Sequence, residues 1–114
     1  MDIMSNMHIT YNKENGTGHL KLDGDLDIVS KRLVDAYVKN ILDQCNQLEI
    51  HLDNVDYMDS SGLSTLFGIS HLITKSGKSL IISGANDRIK NLFKMTSFEE
   101  FIERQNVDNK IKKK

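Results

Sequence analysis

The sequence predicts an α/β fold, a mixed β-sheet of four to five strands covered by three to four helices and opening with an antiparallel hairpin. Three observations predict it. Residues 7–11 and 18–22 alternate apolar and polar side chains across a turn-rich stretch. Strand-like runs at 48–52 and 79–83 each follow a stretch of helical period. With 114 residues, 39% of them hydrophobic, the chain is long enough to bury a genuine core.

The elements follow in order. MHITY at 7–11 and GHLKL at 18–22, with NKENGTG between them, read as the hairpin. DGDLDIV then carries charge without period until Ser30, which can cap a helix over 31–44 bearing Leu33, Ala36, Tyr37, Val38 and Ile41. Leu48, Ile50 and Leu52 alternate as a third strand. Leu63, Leu66, Phe67, Ser70 and Ile73 form the apolar stripe of a helix over 61–76, which Gly77 ends. SLIIS at 79–83 is a buried parallel strand, and Asn86 with Asp87 opens a third helix carrying Ile89, Leu92 and Phe93. Residues 100–103 read as a short edge strand. Residues 1–6 are expected to be a disordered lead-in, 7–104 a single domain, and 105–114 a basic tail, frayed or weakly helical.

Composition narrows the function classes. Net charge is −1, yet lysines gather at 110 and 112–114 while acids crowd 23–27 and 53–59. A short lysine tail is ordinarily solvated, so no nucleic-acid contact is expected from it. Cys45 is the only cysteine, which excludes an intrachain disulfide, and without a basic-then-apolar leader a cytoplasmic setting is expected. No apolar run approaches the roughly 18 residues that cross a bilayer, so no membrane insertion is expected. A phosphate-binding loop and a metal-pair motif are both missing, and His8, His19, His51 and His71 are scattered without ligand spacing. The expectation is a protein that is not an enzyme and holds no metal or cofactor.

The informative stretch is VDYMDSSGLSTLFGI at 55–69. Ser60 and Ser61 fall where a strand-to-helix loop ends, and a serine there ordinarily satisfies a free backbone N–H. The other reading is a modification switch. Two serines stand where one would cap, Gly62 lets another backbone or a partner approach, and Asp56 and Asp59 flank them.

YMDSSGLS resembles the MDSSGLG signature of the STAS domain of anti-sigma factor antagonists. DGDLD at 23–27 is similar to that family's turn after the second strand, and 76–98 to its final strand and helix, so that the likeness covers about 7–103. Ser64 stands where the family often has Gly. The resemblance implies a partner switch. The unmodified form binds a GHKL-type serine kinase that is also an anti-sigma factor, releasing a sigma factor; phosphorylation abolishes the binding, and a PP2C-type phosphatase restores it. By position Ser60 is the acceptor, with Asp59 beside it and Asp27 at the same edge of the sheet. Ile28 and Val29, in the loop before Ser30, either tuck under the first helix or join Met58, Asp59, Ser61, Gly62 and Ser64 in a partner-binding patch. The protein is then expected as a monomer or weak dimer. The alternatives are a non-switching STAS module, as scaffold of a stress complex or accessory of a lipid transporter, and a phospho-receiver domain.

Overall fold

The computed structural model describes residues 6–113; residues 1–5 of the expected lead-in, and Lys114, lie outside them. Strand β1 (His8–Glu14) and β2 (Thr17–Asp23) form the hairpin, longer than its alternating segments indicated. Asn15 and Gly16 take positive φ angles of 52° and 82°, which makes a tight Asn-Gly turn. The flanking residues therefore pair in the ladder, out to Glu14 with Thr17.

Helix α1 (Ile28–Ile41), β3 (Gln47–Asn54), α2 (Ser60–Lys75), β4 (Ser79–Ser83), α3 (Asp87–Thr96), α4 (Phe98–Gln105) and β5 (Lys110–Ile111) complete the order, with a 3-10 turn at Leu42–Gln44. The five strands lie in sequence order, β1 antiparallel to β2 and the other neighbours parallel. Right-handed crossovers that always step to the next strand deliver their helices to one face of the sheet. That face carries Leu20, Leu22, Leu48, Ile50, Leu52, Leu80 and Ile82, all essentially inaccessible, packed with Val34, Val38, Leu66, Ile73, Ile89, Phe98 and Ile102. The opposite face holds the alternate residues of each strand, His19, Glu49 and His51 among them.

Four expectations are corrected. Helix α1 starts three residues early, because Asp27 is its N-cap and Ser30 is the third helical residue of a capping box. Its buried stripe is Ser30, Val34, Val38 and Ile41, which leaves Leu33 and Ala36 exposed. Residues 100–103 are helical, since Phe98, Phe101 and Ile102 meet Phe67 and the core at helical spacing, with Phe67–Phe98 centroids 4.9 Å and Phe67–Phe101 4.7 Å apart. The described part of the tail is held in place through Ile111. Buried Asn109 accepts from the Leu80 N–H at 2.7 Å and donates to the Ile102 carbonyl at 2.8 Å, and Lys110–Ile111 pairs with β4. Among the described residues, no helix is long and apolar enough to cross a membrane.

Candidate functional site at the helix starts

Two strand-to-helix connections run side by side at one end of the sheet. After β2, Leu26 forms an isolated parallel bridge with Met58, which follows β3. The Leu26 N–H donates to the Tyr57 carbonyl at 3.0 Å, and the Asp59 N–H donates to the Leu26 carbonyl at 3.4 Å. Leu26 is fully buried and Met58 nearly so. Each of these apolar residues is followed by an aspartate that caps the next helix, so the two connections repeat one design.

Asp27 Oδ1 accepts from the N–H groups of Val29 at 3.0 Å and Ser30 at 3.1 Å, and the Asp27 N–H donates back to Ser30 Oγ at 3.1 Å. Asp59 Oδ1 accepts from the N–H groups of Ser61 at 2.9 Å and Gly62 at 3.0 Å. Both caps have extended backbone, with φ −141° at Asp27 and −109° at Asp59. Neither serine of the pair is therefore the cap of α2. Ser60 is its first residue, exposed, and its hydroxyl makes no hydrogen bond among the described residues. Ser61 is half-buried. Ser64 is exposed one turn further along α2, on the same side as Ser60.

The other expected contact residues divide. Ile28 and Val29 stand in the first turn of α1, 67% and 41% exposed, rather than in a loop or under the helix. Ile28 and Ser60 thus hold the same first position in neighbouring, mutually packed helices. Met58 and Gly62 are enclosed, which corrects their expected place in a surface patch. A Cβ on Gly62 would overlap the Leu26 carbonyl oxygen, so this glycine serves the packing of α2 on the first connection. Tyr57, 44% exposed, belongs to the same end and was not expected there, whereas Leu33, 43% exposed, lies on the flank of α1 opposite the α2-facing Lys31 and Asp35. Leu33 had matched a helical period read from a start three residues late. Tyr57 could have been found from its place between Val55 and Met58, the two buried residues of that connection. A shallow groove lined by Ile28, Val29, Arg32, Asp35 and Ala36 continues the surface along α1.

The sequence of this chain matches the family model of the STAS domain over residues 8–113. The chain belongs to the STAS domain family. Among its STAS relatives, the anti-sigma-B factor antagonist of Staphylococcus aureus is 29% identical over 98 residues, 85% of this chain and 91% of that protein. A putative anti-sigma factor antagonist from Thermotoga maritima, 19% identical, superposes with a TM-score of 0.79 over 93% of this chain and 86% of that one. The Bacillus cell fate determinant SpoIIAA in its phosphorylated form, 14% identical, superposes at 0.66 over 94% and 93%. At those identities the two structures speak for the fold. The STAS sheet, with its antiparallel first pair and sequential order, also differs from a receiver domain, whose order is 2-1-3-4-5.

Proposed function

We propose that this STAS protein is an anti-sigma factor antagonist whose binding to an anti-sigma serine kinase is switched off by phosphorylation of Ser60. One observation carries the reading. Asp59 performs the capping that would explain a serine at this place, which leaves the Ser60 hydroxyl exposed and unengaged. The role itself is that of the Staphylococcus aureus relative, brought to this chain by similarity along most of both sequences.

The kinase supplies the chemistry. It holds ATP, presents the γ-phosphoryl group to the Ser60 oxygen, and the hydroxyl proton leaves as the new P–O bond forms and the bond to the ADP oxygen breaks. Before transfer, Ile28 and Val29 offer an apolar contact surface at the same end of the helix pair as the hydroxyl. After transfer, the site carries about 1.5–2 additional negative charges. The start of α2 stabilises that charge, while Asp27, Asp56 and Asp59 surround it with charge of the same sign. An interface that closes over it must bury the phosphate or bring it against like charge, at a cost of several kcal/mol. A loss of about 3 kcal/mol lowers affinity roughly a hundredfold. A PP2C-type phosphatase resets the switch.

Incubation with the cognate kinase and ATP, followed by mass-spectrometric mapping, is expected to place one phosphate on Ser60. A phosphate confined to Ser61, or none, removes the assignment. In a pull-down, Ser60→Ala retains the kinase under phosphorylating conditions and Ser60→Asp binds it more weakly; equal capture by both variants contradicts the switch.

A further inference from the structure

The sheet face away from the helices carries a second cluster, brought together by register rather than by sequence spacing. His19 on β2 lies opposite Glu49 on β3, and His51 follows Glu49 two residues later on the same face. His19 Nδ1 and His51 Nε2 are 2.9 Å apart, His51 Nε2 and Glu49 Oε2 3.5 Å, and His19 Nδ1 and Glu49 Oε1 4.0 Å. Ligand atoms 2.0–2.1 Å from a tetrahedral zinc ion stand about 3.3 Å from one another, a value these three distances straddle.

The surroundings prepare the three groups for a cation. Glu49 is only 5% exposed although no helix packs on its face, and Lys112 Nζ donates to its Oε1 at 3.2 Å, leaving Oε2 turned toward His51. The Ser83 hydroxyl meets His51 Nδ1 at 3.2 Å, with Asp53 Oδ1 3.9 Å from the same nitrogen. A proton on Nδ1, held by those oxygens, leaves the His51 Nε2 lone pair facing His19 and Glu49. That outer contact is the one that fixes the tautomer of a metal-bound imidazole. One N–H, on His19 Nδ1, is then shared among three converging lone-pair atoms; moving it to Nε2 of the same ring frees the third ligand. Both histidine side chains are partly exposed, at 24% and 22%, which gives an ion a way in.

We propose that His19, Glu49 and His51 form a binding site for a divalent transition-metal ion of the zinc class, tying β2 to β3 and leaving the fourth position to water. The site stands apart from Ser60 and does not depend on the switch. The chemistry of two imidazoles and one carboxylate selects zinc, cobalt, nickel or copper over calcium or magnesium, which prefer oxygen ligands.

Titration of the purified full chain with zinc alone, in competition with a chromophoric chelator, is expected to give one equivalent bound in the micromolar range or tighter. Cobalt is expected to show the visible bands of a tetrahedral ion. His51→Ala and the isosteric Glu49→Gln each lower zinc affinity at least about a hundredfold, Ser83→Ala about tenfold, and His8→Ala and His71→Ala leave it unchanged. Zinc raises the melting temperature of the wild type and not of His51→Ala, which separates a lost ligand from a lost fold. Failure to bind zinc in that range, or undiminished binding by both His51→Ala and Glu49→Gln, overturns the proposal.

Discussion

Asp27 and Asp59 each close the start of a helix with two backbone N–H groups, and each follows a residue of the Leu26–Met58 bridge. Ser60 is one residue inside, past the cap, where a side chain contributes nothing to helix closure. The two neighbours therefore have opposite sensitivities. Asp59→Ala is expected to cost about 1 kcal/mol of unfolding free energy through the lost cap. Ser60→Ala removes an exposed hydroxyl without a partner and is expected to stay within about 0.5 kcal/mol of wild type. Urea unfolding of the two variants decides it; equal losses would make the serine part of the scaffold. The sequence reading put the helix starts at Ser30 and at the serine pair because serine and aspartate are comparable caps. What separates them is which residue keeps extended backbone, and that follows from the bridge, a contact between residues 32 positions apart. The serine pair was legible as a site; the reason one serine is free was not.

At the scale of elements, long periodic segments were legible and short ones were not. Strand β4 matches its expected bounds because it is a compact run buried along its full length, and α2, whose period runs the length of the helix, begins and ends one residue before its expected bounds. Strand β5 has two residues, too few for any period, and its placement comes from the side chain before it. Asn109, 1% exposed, bridges the Leu80 N–H and the Ile102 carbonyl, so it joins β4 to α4 and sets β5 down beside β4. Asn109→Ala leaves a buried donor and a buried acceptor unpaired, each worth roughly 1–3 kcal/mol. A loss of about 3 kcal/mol is expected from chemical denaturation, with faster amide exchange in β5 than elsewhere in the sheet. A change below about 0.5 kcal/mol would return residues 105–113 to the status of a loose tail.

For the whole molecule, sequential strand order has one consequence that unites the fold and its proposed switch. Every crossover lands on the same face, so α1 and α2 start side by side at one end of the sheet while the Asn15–Gly16 turn lies at the other end of β2. A charge added at Ser60 sits outside the core that Leu20, Ile50 and Ile82 share with the helices. Its attraction to the start of α2 and its repulsion from Asp59 each amount to about 1 kcal/mol and oppose one another. The phosphorylated protein is therefore expected to unfold within about 1 kcal/mol of the unmodified one. Its amide resonances should shift around residues 24–34 and 55–66 and hold still at Asn15 and Gly16. Paired NMR spectra and melting curves of the two forms test this directly. Shifts spread evenly through β3 and β4, or a collapse in stability, would mean that the phosphate acts by remodelling the core, and a surface that merely stops fitting its partner would no longer account for the switch.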